Sequence, residues 1–191
     1  HSGEVIFRQN TLTSHIMILR NGLVKVYKDT SNQKRLIIKL IKPNNFFGLL
    51  SVFGERIYQY SASTVERAEI IHIDNEVFIS LLEKNGKFAH HITNLISKDG
   101  LYILERLMTQ YQKQLPGRIA DVILYFFLYI YKNHTFDLPL TRKELAEFAG
   151  TTKESFIRTL TEFKNDRIIH LDGRRVQIQS MEVLRTLSKL G

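Results

Sequence analysis

The sequence contains no cysteine, and this absence excludes several classes of protein at once. Without thiols the chain cannot form a disulfide scaffold, a thiolate zinc site, a cysteine nucleophile or a cysteine-ligated iron–sulfur cluster. Long apolar runs are also lacking, since the densest one, at 124–131, is far shorter than the ~18–20 residues of a membrane helix. No basic flank followed by an apolar core marks a signal peptide. We therefore expect a cytoplasmic protein with no role in a membrane.

The composition is that of an ordinary globular protein with a basic surplus. The chain has 191 residues, of which 43% are hydrophobic and 24% charged, so wholesale disorder is excluded and one large or two small domains are expected. A net charge of +8 favours a polyanionic partner such as nucleic acid, although a basic protein without such a partner has the same charge. The chain begins abruptly at His1, and we expect a further segment to precede it.

Short segments with strand patterning fill the first part of the chain. The predicted strands are 16–19, 23–27, 35–41, 60–65 and 69–73. Asn21-Gly22 separates the first two, and this dipeptide is typical of a two-residue hairpin because both central residues of a type I′ turn require positive φ. A second hairpin is predicted around 29–33. Many short strands at close spacing indicate a barrel or jelly roll.

From residue 75 onward the apolar period becomes helical, which predicts a short helix over 76–83 and a long one over 88–112. The long helix carries a seam with spacings of four, three and four residues, typical of a coiled coil in which a small residue allows close approach. This seam consists of Gly100, Leu104, Leu107 and Tyr111. A neighbouring apolar stripe, suited to packing on the barrel, consists of Ile92, Ile96 and Ile103. The long helix therefore predicts a homodimer interface, and the alternative is a helix covered on both sides by its own domain.

The best domain boundary is Gln114-Leu115-Pro116-Gly117, because proline and glycine interrupt two helical patterns there. The chain is accordingly divided into a barrel domain over 1–87, a long helix over 88–114 and a carboxy-terminal domain over 115–191. A helix over 118–132 is expected to be buried, since its apolar residues nearly encircle it. A short strand near 136–140 follows.

Two short helices beyond residue 140 predict a helix-turn-helix. Thr141 and Glu144 have the spacing of a capping box and open a helix over 143–149. Gly150 ends that helix, as glycine does where the backbone becomes left-handed. A second helix is predicted over 153–165, and so tight a glycine turn between two helices is typical of the helix-turn-helix motif.

The second helix has one apolar and one polar face. The core-facing residues are Phe156, Leu160 and Phe163. The opposite face, which would read base edges in a major groove, consists of Lys153, Glu154, Arg158 and Thr161. Arginine can donate two hydrogen bonds to guanine and a carboxylate can accept one from cytosine. The alternatives are that Glu154 completes a capping box opened by Thr151, with Thr152 the other candidate cap, and that Arg158 is a solvated surface charge.

A final hairpin predicts a wing. The segments 168–171 and 176–178 flank a turn with Arg174 and Arg175 at its tip, where arginines would meet phosphates and supply affinity without sequence information. With the barrel and the long helix, this winged helix-turn-helix gives an α+β fold class. A winged helix that docks a protein partner instead of DNA is the alternative function of this domain.

Three stretches, 19–24 (Leu-Arg-Asn-Gly-Leu-Val), 116–120 (Pro-Gly-Arg-Ile-Ala) and 141–160, are similar in residues, order and spacing to the bacterial CRP/FNR-type transcription regulators. The resemblance covers nearly the whole chain. It implies an effector-sensing barrel of the cyclic-nucleotide-binding type, a dimerisation helix and a DNA-binding winged helix. It further implies a homodimer on palindromic double-stranded DNA, with recognition helices in successive major grooves ~34 Å apart, and RNA polymerase as a partner.

The resemblance also assigns roles to individual residues. Lys153, Glu154 and Arg158 align with the base-reading arginine, glutamate and arginine of the cyclic-AMP-binding members. Lysine lacks the guanidinium fork, so the expected half-site is similar to the family's TGTGA element rather than identical to it. The complete predicted DNA-binding set is Thr141, Thr151, Thr152, Lys153, Glu154, Arg158, Thr161, Arg174 and Arg175.

The implied ligand site departs from the family pattern. Leu49 follows Gly48 where the cyclic-AMP receptors have a ribose-binding glutamate, and Tyr58-Gln59 replaces their phosphate-binding arginine–serine pair, with Arg56 the nearest cation. Leucine cannot accept a hydrogen bond and a buried phosphate without a cation is costly, so we expect no tight binding of cyclic AMP. The residues expected to surround another effector are Gly48, Leu49, Tyr58, Gln59, Ser61, Ile103 and Leu104.

The nature of the effector stays open at this point. A small apolar or acidic molecule and a ligand-free regulator are both compatible with these residues. The resemblance also allows a regulator that senses haem or a diatomic gas through the barrel domain, which is a less favoured possibility. Its candidate haem ligands are His15, His72, His90, His91, His134 and His170. A metalloenzyme on a cupin-like barrel needs clustered histidines and a carboxylate, but only His15 and His72 lie well inside the barrel segment. We therefore expect no enzyme and no metal site.

Overall fold

The structure is a computed structural model that describes residues 1–30, 34–53 and 56–191. It divides into two compact units, unit 1 from His1 to Glu105 and unit 2 from Arg106 to Gly191. The long helix α2 (Gly86–Gln112) contains the point of division. No helix in the described part of the chain combines the length and the apolar character that crossing a lipid bilayer requires.

Unit 1 is built from two antiparallel sheets that share one core. Its strands are β1 (Val5–Phe7), β2 (His15–Asn21), β3 (Val24–Asp29), β4 (Arg35–Ile41), β5 (Asn45–Phe47), β6 (Ser61–Thr64) and β7 (Glu69–Asp74). One sheet has the order β1-β6-β3-β4 and the other β5-β2-β7. Buried side chains from both sheets, such as Met17, Val26, Phe47 and Ala62, form one hydrophobic cluster. The predicted jelly-roll barrel in an α+β fold is confirmed.

The turn at Asn21-Gly22 does not close a hairpin, and that prediction was wrong. β2 pairs with β5 and β7, whereas β3 pairs with β4 and β6. Gly22 has a φ of 91°, but Asn21 does not have positive φ, so the turn is not of type I′. A Cβ on Gly22 would overlap the carbonyl oxygen of Arg67. Glycine is needed here because the chain crosses from one sheet to the other close to another backbone.

The second predicted hairpin is confirmed in its strands. β3 and β4 are antiparallel neighbours, with Asp29 opposite Arg35. The turn that joins them, predicted around 29–33, lies outside the described residues from position 31 to 33. The Arg35 guanidinium donates to the Asp29 carboxylate at 2.7 Å and so ties the two strand ends together.

Two helices follow the strands of unit 1. α1 (Asn75–Lys84) begins after Asp74, whose carboxylate accepts from the amides of Glu76 and Val77. α2 is without proline and buries Ile92 in a second hydrophobic cluster, which also contains Ile16 and Phe78. Ile92 therefore packs as the apolar stripe predicted.

Unit 2 contains the remaining elements. Its helices are α3 (Leu115–Tyr125), α4 (Arg142–Ala149), α5 (Lys153–Asn165) and α6 (Met181–Leu190), and its strands are β8 (Thr135–Asp137), β9 (Ile169–Asp172) and β10 (Arg175–Ile178). The strands form a sheet of order β8-β10-β9. Helix α6 was not predicted, and it packs so closely on α3 that a Cβ on Gly117 would meet the carbonyl oxygen of Leu187 at 2.9 Å.

The helix expected over 118–132 differs from the prediction in two ways. It begins at Leu115, because proline is well accommodated in a first helical turn, and after Tyr125 it continues as a π-helical segment, Phe126–Tyr131. Leu128 and Tyr129 of that segment are exposed. The expectation of a fully buried helix was therefore wrong for its second half, where Phe126 is buried but Leu128 and Tyr129 face solvent.

Candidate nucleic-acid interface and effector cavity

Helix α4 is fixed at both ends by its sequence. The Thr141 hydroxyl accepts from the Glu144 amide at 3.3 Å, and the Glu144 carboxylate accepts from the Thr141 amide at 2.8 Å. These two bonds are the predicted capping box, which satisfies two amides that a helix start leaves free. At the other end Gly150 has a φ of 66°, a left-handed conformation that favours glycine.

Helix α5 is capped by Thr152, whose hydroxyl accepts from the amide of Ser155 at 3.2 Å. Thr151 instead donates its amide to the Ala146 carbonyl and belongs to the end of α4. The alternative in which Thr151 and Glu154 form a capping box was therefore wrong. Glu154 lies exposed in the first turn of α5, where the positive end of the helix dipole favours a carboxylate.

The two faces of α5 are divided as the spacing predicts. Phe156, Leu160 and Phe163 are buried, and Thr159 joins them. The exposed face carries Lys153, Glu154, Arg158 and Thr161. The Thr161 hydroxyl donates to the Ile157 carbonyl at 2.8 Å, whereas Lys153, Glu154 and Arg158 have no intramolecular hydrogen bond or ion pair within the described ranges. Three charged groups are thus free to bind outside the molecule.

The wing differs in detail from its prediction. β9 and β10 pair antiparallel from Asp172 opposite Arg175, so the hairpin exists as expected, with β8 added on the other edge of β10. Arg175 opens β10 and is exposed. Arg174 lies at the tip but is also bound within the domain, because its Nε donates to the Leu138 carbonyl at 2.9 Å.

Arg142 is part of this surface and was missed from the sequence. Its guanidinium donates to the Gly173 carbonyl at 2.5 Å and so joins the first turn of α4 to the tip of the wing. Burial, and secondarily the charge of Arg174, lower the pKa of Arg142 from its usual value. Two guanidinium groups held close together create a positive potential that suits an anion. The sequence signal that could have indicated this role of Arg142 is its position as a basic residue directly after the helix cap Thr141.

Unit 1 contains a small cavity of about 40 Å³, enough for a few water molecules. It is lined by Val26, Ile38, Lys39, Phe47, Gly48, Leu49, Leu50, Tyr60, Asp99 and Ile103. Lys39 of β4 and Asp99 of α2 form an ion pair at 2.5 Å, and both side chains are partly shielded from solvent. Next to it the Tyr102 hydroxyl donates to the Ile38 carbonyl at 3.2 Å. Strand β4 is therefore tied to α2 at two adjacent positions.

The structure brings together only part of the predicted effector set. Gly48, Leu49 and Ile103 line the cavity. The other predicted members, which do not line it, are Tyr58, Gln59, Ser61 and Leu104. Sequence reasoning also missed Lys39 and Asp99, since residues 60 positions apart give no local pattern.

Each predicted residue outside the cavity has another environment. Tyr58 is buried, stacks on Phe7 with ring centroids 3.9 Å apart and donates to the His15 carbonyl, and burial raises its pKa. Ser61 accepts from the Gln9 amide. Gln59 and Leu104 are exposed, as is Arg56, the cation considered for a phosphate.

The seam of α2 lies on the surface. Gly100 has nothing near the position of a Cβ, and Leu104, Leu107 and Tyr111 are among the most exposed apolar side chains, Tyr111 at 87%. Leu101 and Met108 extend the same apolar strip. An exposed patch of this kind is typical of a protein–protein interface.

The histidines in the described part of the chain do not form a metal-binding cluster. Across the part of the chain that the structure describes, no three His, Asp or Glu side chains are placed to hold one metal ion. His15 and His72 meet edge to face with ring centroids 5.8 Å apart. His90 contacts Asn94, and both His90 and His91 are exposed on α2.

A jelly-roll barrel in one unit and a winged helix-turn-helix in the other define a helix-turn-helix DNA-binding regulator with an effector-type domain. The model of the cyclic nucleotide-binding domain matches residues 1–85, and that of the Crp-like helix-turn-helix domain matches residues 117–187. The chain belongs to the CRP/FNR family of transcription regulators.

Similar proteins of known identity are regulators of the same kind. The chain is 22% identical to the HTH-type transcriptional regulator Cmr of Mycobacterium tuberculosis over 96% of this chain and 72% of that protein. It is 21% identical to the CRP-like cAMP-activated global transcriptional regulator of the same species, over 95% of this chain and 83% of that one. Among solved structures, FixK2 from Bradyrhizobium japonicum superposes with a TM-score of 0.89 at 17% identity, covering 98% and 93% of the two chains.

Proposed function

We propose that the protein is a cytoplasmic, effector-responsive transcription regulator that binds a palindromic DNA site as a homodimer. The observation that carries this proposal is the exposed edge of α5, where Lys153, Glu154 and Arg158 have no partner within the described residues. A charged edge at the amino-terminal half of a recognition helix is the part that reaches base edges in the major groove.

Each residue of this edge has a separate role in the proposal. Arg158 donates to O6 and N7 of a guanine, and Glu154 accepts from the amino group of a cytosine. Lys153 contributes a point charge without the fork geometry. The residues proposed to meet the DNA backbone or to support the reading edge are Thr141, Thr151, Thr152, Thr161, Arg174 and Arg175.

The homodimer is supported by the exposed seam of α2. Gly100, Leu104, Leu107 and Tyr111 repeat on one helical stripe, and association of two such stripes removes large apolar side chains from water. Twofold symmetry then presents two α5 edges to half-sites one helical turn apart. RNA polymerase is the further partner that family membership implies.

The effector is proposed to be something other than cyclic AMP. Leu49 has no group that could accept a hydrogen bond from a ribose hydroxyl. The cation that lines the cavity, Lys39, already forms an ion pair with Asp99 at 2.5 Å. A cavity of about 40 Å³ has no room for a nucleotide in this conformation. A small apolar or acidic molecule fits the lining better, and a regulator that needs no effector is the other outcome.

Charge reversal tests the DNA-binding proposal. The double variant Arg158→Glu, Arg174→Glu is compared with wild type by fluorescence anisotropy on a duplex selected from genomic fragments. Arg185→Glu is the matched control, since Arg185 is an exposed arginine of α6 outside the proposed surface. We expect the double variant to lose DNA binding while sedimentation shows an unchanged dimer. Equal affinity of wild type and double variant would refute the assignment and favour the protein-docking alternative.

A further inference from the structure

The carbonyl groups at the end of α4 are bound by side chains from two other helices. The last carbonyls of a helix have no partner within it. Arg106 of α2 donates to the Phe148 carbonyl at 2.6 Å, and Gln110 of α2 donates to the Ala149 carbonyl at 3.2 Å. We call Arg106, Gln110 and Arg118 of α3 the clamp.

Arg118 completes the clamp by holding Gln110 in place. Its guanidinium donates to the Gln110 side-chain oxygen at 2.8 Å and also approaches the Gly150 carbonyl at 3.5 Å. The Gln110 amide group is therefore used on both sides, as an acceptor from Arg118 and as a donor to Ala149. Because an amide has both functions, glutamate or leucine at position 110 cannot reproduce both bonds.

Charge and packing reinforce the same contact. The carboxyl end of a helix carries partial negative charge, which attracts the two arginines. The Arg106 guanidinium also lies over the Phe148 ring, 4.7 Å from its centroid, and Phe148 is buried. A Cβ on Gly150 would overlap the Gln110 amide. Glycine at this position thus serves the close approach of Gln110 in addition to its left-handed turn.

The clamp and the dimer seam alternate along the same turns of α2. Arg106 is followed by Leu107, and Gln110 by Tyr111, and successive residues of a helix point about 100° apart. The last turns of α2 therefore present the exposed seam on one face and bind α4 with the adjacent face. The turn from α4 into α5 begins directly at Gly150, beyond the clamped carbonyls.

From this arrangement we infer that the clamp is a positioning device that sets the spacing of the two α5 reading edges in the dimer. The inference rests on the proposed function, since it presumes a dimer on a two-part DNA site. Arg106, Gln110 and Arg118 lie away from the exposed face of α5 and act through α4. Loosening the clamp lets each reading edge turn about the end of α2, so one fixed spacing becomes a range of spacings.

The test measures affinity as a function of the distance between half-sites. Wild-type protein, Gln110→Ala and Gln110→Glu are titrated onto the selected palindrome and onto versions with one base pair inserted or deleted at the centre. We expect wild type to bind the native spacing with an affinity on the order of tenfold higher than the altered spacings. Both variants should show a difference in affinity of about threefold or less. Affinity for a single half-site should not change. Gln112→Ala is the control, because Gln112 is exposed on the same helix two residues away.

The ratio of the affinity for the native spacing to the affinity for an altered spacing distinguishes a positioning role of the clamp from a purely stabilising one. A variant that is only less stable loses active protein for every duplex equally, so its spacing preference stays that of wild type. A wild-type preference for one spacing that persists unchanged in both Gln110 variants overturns the clamp while leaving the DNA-binding proposal intact. Absence of specific binding by wild type overturns the proposed function, and the clamp with it.

Discussion

Truncation of Leu107 is expected to weaken the dimer without unfolding the protein. Leu107 is 63% exposed, so its side chain makes few contacts within the chain and its replacement by alanine leaves no internal cavity. Full burial of a leucine contributes roughly 1.5–3 kcal/mol. About two thirds of the leucine surface is available for burial in the dimer, and alanine retains part of it. We therefore expect Leu107→Ala to weaken dimerisation by about 1 kcal/mol per copy.

Twofold symmetry doubles this effect, because each dimer contains two copies of the side chain. A loss of about 2 kcal/mol raises the dimer dissociation constant roughly thirtyfold. Sedimentation over a range of protein concentrations measures that constant directly. DNA binding by Leu107→Ala should then become concentration-dependent in the range where the dimer dissociates.

A matched leucine on another helix controls for general effects of lost apolar surface. Leu81 of α1 is 46% exposed and lies outside the seam, so Leu81→Ala should leave the dissociation constant unchanged. Equal constants for wild type and Leu107→Ala, or a wild-type protein that sediments as a monomer at all concentrations, would refute the assignment of the seam as the interface.

Three further predictions follow from single contacts. Thr141→Val removes the hydroxyl that accepts from the Glu144 amide and should cost about 1 kcal/mol of unfolding free energy. Calorimetry should show this as a Tm lowered by roughly 2–4 °C, and an unchanged Tm contradicts the cap. Asp99→Asn breaks the ion pair with Lys39. The two side chains keep 19% and 31% of their exposure, so we expect urea unfolding to show a loss of about 1 kcal/mol or less. A loss above ~3 kcal/mol would point to a fully buried pair. Partial desolvation, and then the charge of His15, lower the pKa of His72, although its ring is largely exposed. The folded state therefore favours the neutral ring, and stability falls slightly as the pH drops below the unfolded value of about 6.5. His72→Gln should flatten this pH dependence between about pH 7 and 5, and an identical slope argues against it.

Local signals in the sequence predicted much of unit 2. A capping box, a helix-ending glycine and an apolar repeat are all set by residues within a few positions of one another, and the resulting helices α4 and α5 agree with the prediction closely. The polar face of α5 followed from the same repeat, because burying Phe156, Leu160 and Phe163 leaves only one face for Arg158. Periodicity is informative where one element has one buried side.

Contacts between distant residues explain what the sequence did not predict. Asn21-Gly22 has the composition of a hairpin turn, but its role depends on which strands pair and on the Arg67 backbone packed against it. Lys39 and Asp99 meet across 60 residues, and Arg106 meets Phe148 across 42. No spacing rule relates such partners, because the tertiary fold alone brings them together. The cavity lining and the clamp were therefore not predictable from local patterns.

The central claim is that the exposed edge of α5 reads DNA sequence twice in each dimer, and selection from a random duplex library tests it most directly. Wild-type protein should enrich two inverted half-sites with centres about 10–10.5 base pairs apart. Arg158→Ala should lose the preference for one base pair at the equivalent position of each half-site, while Arg185→Ala should return the wild-type sequence. A library in which wild type enriches nothing, or in which Arg158→Ala enriches the same sequence with the same strength, would contradict the account.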